Sequence, residues 1–155
     1  MKIVLPSYYN EFKCIDKDCE DTCCAGWEVD VDEDKYQYYK TVDGDIGKRL
    51  KDVMIPKEEG DGCFFRLKEN KRCPFLNDEN LCDLYIELGE ASLCDTCTYF
   101  PRFINDYGAT REIGLAPSCF TAAQIMVGKG EPSTLETSED GFFNISPNDI
   151  DPDLY

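Results

Sequence analysis

The residues able to do chemistry in this chain are its cysteines, ten of them at positions 14, 19, 23, 24, 63, 73, 82, 94, 97 and 119, in a sequence without histidine. The missing imidazole excludes Cys₂His₂ and Cys₃His zinc sites, a His₃ catalytic zinc and any histidine-based triad. Transition-metal chemistry here must therefore be all-thiolate, which suits iron–sulfur clusters and structural Cys₄ zinc. The spacing runs C-x4-C-x3-C-C, then Cys63, then C-P-F-L-x5-C, C-x2-C and S-C-F.

Local settings favour ligation. Cys82 and Cys119 fall at the predicted starts of helices, where the dipole and free N–H groups favour thiolate. Cys73 is followed by proline, a frequent arrangement at iron–sulfur ligands. Adjacent Cys23 and Cys24 suit different partners better than a strained mutual disulfide. Buried free cysteine also serves as a small hydrophobe, and Cys63 and Cys94 are the candidates for that role. A disulfide framework is the weaker alternative, because no signal peptide opens the chain. The radical S-adenosylmethionine signature fails at Gly26, the ferredoxin run fails at Phe100, and Gly-rich phosphate loops are missing.

The elements that must position these thiols are short. Trp27, Val29 and Val31 alternate as a strand, and Asp32 is placed to cap a helix over residues 33–42. A second helical piece covers 46–54, and CFFRL at 63–67 reads as a strand. Asn80 caps a helix over residues 81–90, residues 102–115 read as a β-hairpin turning near Gly108, and Ser118 caps a last helix. Residues 1–13 read as an extended or irregular lead-in with exposed tyrosines, and GFFNI at 141–145 as a short strand. The expected fold is α+β: a small irregular cysteine-rich, metal-stabilised domain with short helices and a β-hairpin. It is expected to span residues 1–130, with 131–155 a polar tail or linker to a further C-terminal region.

Sixteen basic residues against 32 acidic ones give a net charge of −16. That balance excludes phosphate neutralisation on nucleic acid and binding to an anionic membrane surface. It welcomes a basic partner or a lysine-bearing substrate. With no run of about 20 apolar residues, the expected location is cytoplasmic.

Three blocks, FKCIDKDCEDTCCAGWEVDVDEDKYQYYK, CPFLNDENLCDLYIELGEASLCDTCTYFPRFIN and REIGLAPSCFTAA, resemble the flagellin lysine-N-methylase (FliB) family. They also resemble small proteins with a CxxCxxCC-type zinc- or iron-chelating domain. The resemblance implies a bacterial protein-lysine N-methyltransferase that moves a methyl group from S-adenosylmethionine to lysine ε-amines of flagellin or another protein. It implies an iron–sulfur cluster, of [4Fe-4S] type, or zinc. The ligands carried over are Cys14, Cys19, Cys23, Cys24, Cys73, Cys82, Cys97 and Cys119, with Cys63 and Cys94 outside the pattern. The alternative is a non-catalytic zinc- or iron-chelating binding module, because members of the family continue well beyond the matched region. No catalytic or cofactor-contacting residue is assigned. Tyr8, Tyr9, Tyr36, Tyr38, Tyr39, Tyr85, Tyr99 and Tyr107 are the candidate proton acceptors, though core packing is the expectation for most. Trp27 is expected to pack, and Arg102 to pair with an acid such as Glu112.

Overall fold

A computed structural model describes residues 2–130 and 132–138, so the expected strand at 141–145 and most of the expected tail lie outside the described residues. The fold is α+β, with five helices and two sheets among the described residues. Two compact units divide it: one uses the chain up to Thr22 and from Tyr99 onward, the other Cys23–Thr98.

The first unit is a sheet of order β5-β6-β1-β7. Its strands are β1 (Lys2–Pro6), β5 (Arg102–Tyr107), β6 (Thr110–Leu115) and β7 (Leu135–Ser138). β5 and β6 form the expected hairpin, with Tyr107 opposite Thr110 around Gly108. β1 is the extended form of the expected lead-in, although Tyr9 behind it is buried rather than exposed. It pairs in parallel with β6 and antiparallel with β7, and Ile3 and Leu5 alternate into the core. Parallel pairing joins segments distant in sequence, so no local turn signal announces it. Ile113, Leu115, Tyr9, Phe12 and Ala122 complete this core, the last from helix α5 (Phe120–Gly128).

The second unit begins with the thiols Cys23 and Cys24. Its sheet has the order β2-β4-β3, from Asp30–Val31, Cys63–Phe65 and Met54–Pro56. Asp32 caps α1 (Glu33–Thr41), accepting from the Lys35 N–H at 3.0 Å, as expected. In α2 (Gly44–Val53), Ile46 and Leu50 stand one turn apart and face the core. Gly47 lies on the same buried side, against the Val42 carbonyl. Val29, Val31, Tyr39, Phe65, Phe75, Leu84 and Leu93 fill that core, with Phe65 meeting Phe75 edge-on at 5.0 Å.

Helix α3 (Asp83–Leu88) starts later than expected. Asn80 does not cap it but sits at φ +60° in the preceding loop. Gly89, at φ +81°, ends it, a conformation glycine adopts without strain. Helix α4 (Asp95–Tyr99) follows. Likewise Cys119, rather than Ser118, is the N-cap residue of α5.

One turn has no slack. Gly62 has φ +92°, and a Cβ there would stand 2.2 Å from the Val31 carbonyl oxygen. Its N–H donates to Glu33 at 2.7 Å. Gly62→Ala is therefore expected to cost about 2–4 kcal/mol from backbone strain and overpacking. Urea unfolding of the variant beside the parent checks this, and an unchanged midpoint would show that the turn yields freely.

Candidate metal centre

In the second unit, four of the eight expected ligands arrive from four separate segments and pack on one core. Cys24, Cys82 and Cys97 lie half-buried against it, and Cys73 is buried within it. The Cys73 N–H donates to the Cys24 carbonyl at 2.6 Å, and the Gly26 N–H to the Lys71 carbonyl at 3.0 Å. This short antiparallel pairing, with Ala25 opposite Arg72, sets Cys24 beside Cys73. Cys82 is brought back by the loop that begins at Cys73. Leu76 bridges to Cys82, the Asp83 N–H reaches the Phe75 carbonyl at 2.8 Å, and Asn77 Oδ1 accepts from Glu79 and Leu81. Arg49 of α2 closes that loop from outside, donating to the Pro74 carbonyl at 3.1 Å and to Asp83 at 2.7 Å.

Cys97 is positioned by α1. Asp32 uses its second carboxylate oxygen to accept from the Asp95 N–H at 2.9 Å. Lys35 donates to the Ala91 carbonyl at 2.6 Å and Tyr39 to the Ser92 carbonyl at 2.7 Å. Three residues on one helix thus hold the segment that leads into Cys94-x-x-Cys97. Cys94, expected to be only a hydrophobe, is buried but not inert: the Cys97 thiol and the Cys97 N–H both bond to its sulfur. Those bonds lower the Cys94 pKa, and the same contact pushes Cys97 up. The C-x2-C spacing was the signal for this pair. Cys63 is fully buried in β4 and fits the role of packing residue.

The sulfurs are met by backbone donors. Phe75 and Leu76 N–H groups bond to Cys73, and Leu84 and Tyr85 N–H groups to Cys82. Burial nevertheless dominates, with the neighbouring thiols adding to it, and raises Cys73 to about 12 and Cys82 to about 11. Dry thiols aimed at by N–H groups accept negative charge readily only when a cation supplies the rest. Among the described residues, no three Cys, Asp or Glu side chains already stand close enough to share one metal ion. The four thiols pack on one core, and an all-thiolate set is the donor chemistry that thiophilic metals take.

The other expected ligands fall elsewhere. Cys23 is exposed, and its carbonyl accepts from the Trp27 indole N–H at 2.6 Å. Trp27 is itself 39% exposed rather than packed in the core. Cys14, Cys19 and Cys119 belong to the first unit. Arg102 lies over the Tyr9 and Phe12 rings, and Arg111 and Asp106 form an ion pair along the hairpin. Of the tyrosines, Tyr39 is excluded as a base: it is buried, donates to Ser92, and its pKa is raised.

An α+β protein with its thiols gathered on two small cores is the class defined so far. The sequence is distantly similar to known bacterial proteins. Over 118 residues, 74% of this chain, it is 27% identical to the flagellar biosynthetic protein FliU of Salmonella muenchen, covering 70% of that protein. At the same identity and length it is similar to the lysine-N-methylases of Salmonella typhimurium and Salmonella choleraesuis, covering 29% of each. This distant similarity supports a relationship to those proteins. No protein-family model matches the chain, and no solved structure matches it.

The buried thiols make stability depend on pH. The folded Cys73 holds its proton up to about pH 12 against an ordinary 9.0, so between these values the unfolded chain binds fewer protons than the folded one. Stability is then fully present below about pH 9 and falls as pH rises, by up to about 1.4 kcal/mol per pH unit for this group. Urea unfolding of reduced, chelator-treated protein at pH 7.5 and 10.5 should show the fall, and Cys73→Ala should lessen it, the other raised thiols, Cys82 among them, supplying the rest. Tyr39→Phe, which leaves the Ser92 carbonyl without its donor, should cost about 1–2 kcal/mol in the same assay.

Proposed function

We propose that this chain is a thiolate metal domain of lysine-methylase type. In this reading it serves methyl transfer from S-adenosylmethionine to lysine ε-amines of flagellin or a similar protein. The observation that carries the metal part is the gathering of Cys24, Cys73, Cys82 and Cys97 from four segments onto one buried core, in a chain without histidine. Such a donor set suits a [4Fe-4S] cluster or zinc. When bound, a cluster supplies a redox-active, Lewis-acidic centre, whereas zinc in a closed all-thiolate site supplies only cross-linking.

The methyl-transfer part rests on the similarity to the lysine-N-methylases. The chain's own contribution to it is electrostatic. Its net charge of −16 draws in a lysine-bearing segment. The amine must lose its proton before it attacks the methyl carbon, and buried, hydrogen-bonded Tyr39 cannot take it. A cytoplasmic setting, in which thiols stay reduced, suits this chemistry.

A second reading has its own observation. The chain is equally similar to the flagellar biosynthetic protein FliU, of which it covers 70%, and this leaves as the alternative a non-catalytic zinc- or iron-chelating module presenting an acidic face to a partner.

Anaerobic purification separates the metals. Brown protein carrying iron and acid-labile sulfide is expected, and colourless protein with stoichiometric zinc would overturn the cluster. Labelled S-adenosylmethionine with flagellin then separates the functions. Label on lysine supports the methylase reading, and its absence with fully metallated protein supports the scaffold.

A further inference from the structure

We infer that Cys94 and Cys97 form a reversible dithiol–disulfide pair, closed by exchange with an external low-molecular-weight disulfide. Both are free thiols in the structure, Cys94 buried and Cys97 half-buried. Cys94 stands immediately before α4, and its carbonyl accepts from the Thr98 N–H at 2.9 Å. That bond closes one helical turn, which returns Cys97, three residues on, to the side that Cys94 occupies. Both side chains meet the core that includes Tyr39, Leu84 and Leu93, and the Cys97 thiol donates to the Cys94 sulfur. A metal ion needs several donors together, and among the described residues no three Cys, Asp or Glu side chains stand so. A disulfide needs two sulfurs, and these two are in contact. The backbone around them is already fixed by the bonds from Asp32, Lys35 and Tyr39 to Asp95, Ala91 and Ser92. Little chain entropy is left to lose when the ring closes.

The half-buried thiol is the point of entry. Cys97 lies on α4 between exposed Asp95 and Tyr99, whereas Cys94 is 1% exposed. The external disulfide, RSSR, meets Cys97 first. The Cys97 sulfur bonds to one RS sulfur, the S–S bond breaks, and RSH leaves with the Cys97 proton. Cys94, which already accepts from Cys97 and so turns a lone pair toward it, then attacks the Cys97 sulfur of the mixed disulfide. The second RSH leaves with the Cys94 proton. Two thiols are oxidised to one disulfide while one RSSR is reduced to two RSH, so atoms and electrons balance. One consequence rests on the reading of Cys97 as a metal ligand. Closing the pair takes that ligand from the four-thiol set, so oxidation and metal binding exclude one another.

Buffers of reduced and oxidised glutathione test this on the full, chelator-treated chain, with alkylation and peptide mapping by mass spectrometry as the readout. The first disulfide to form is expected to join Cys94 to Cys97. It should be half-formed where [RSH]²/[RSSR] is about 1 mM or higher, the effective concentration of a short tether. First closure between other cysteines, or both thiols still alkylated at that ratio, would overturn the pair, and this mapping of the parent needs no variant to fold. Cys94→Ala should trap one glutathione on Cys97, and a folded variant that takes up none would overturn Cys97 as the entry thiol. Saturating zinc should slow closure of the reduced parent by about tenfold or more, because only metal-free chain reacts. Closure at an unchanged rate would overturn the exclusion and the ligand reading of Cys97 while leaving the dithiol pair standing. Zinc bound by a chain that never joins Cys94 to Cys97 would overturn the pair and leave the metal reading standing.

Discussion

One carboxylate sets the geometry on which the thiol cluster depends. Asp32 caps α1 with one oxygen and the start of α4 with the other. Each bond satisfies an N–H that the helix itself leaves unpaired. Because the two helices begin on the same side chain, the Cys94-x-x-Cys97 turn cannot drift relative to α1. Lys35 and Tyr39 then repeat the attachment along the helix at Ala91 and Ser92. Ser92 is a buried polar residue, and its hydroxyl is satisfied by the Leu84 and Gly89 carbonyls, so the splint introduces no unpaired group in the core.

The cluster this splint serves is held by backbone more than by side chains. Cys24 and Cys73 meet through a strand-like pairing of main chain, and Cys82 returns through a loop whose polar groups are satisfied internally. The sulfurs therefore occupy their places without attracting one another. Indeed, neighbouring Cys24 and Cys82 oppose ionisation of Cys73. The fold gathers groups that would repel one another as thiolates.

Much of this was legible from residue types and offsets. Asp32 announced α1 because an N-cap acid preceded an acidic first turn, and the hairpin around Gly108 followed from its turn chemistry. The missed features share a physical cause. The pairing of β1 is set by partners more than a hundred residues away, and β2 is only Asp30–Val31 because pairing with β4 stops there. Asn80 looked like a cap, yet its backbone bends left-handed inside the loop that Asn77 organises. The sorting of the cysteines between two units was likewise invisible in their spacing, because Cys14 and Cys119 reach the same core from distant parts of the sequence. Cys94 was passed over since C-x2-C alone does not say which thiol accepts and which donates.

The loop from Cys73 to Cys82 has a consequence of its own. Arg49 spans it from Pro74 to Asp83, and the Asp83 N–H to Phe75 bond shuts it from within. The entropy of closing that ring is met during folding. The two sulfurs at its ends are therefore held as one preformed pair. Lysine in place of Arg49 would keep the charge but lose the fork that reaches carbonyl and carboxylate together, leaving two independently placed thiols where there had been a fixed pair.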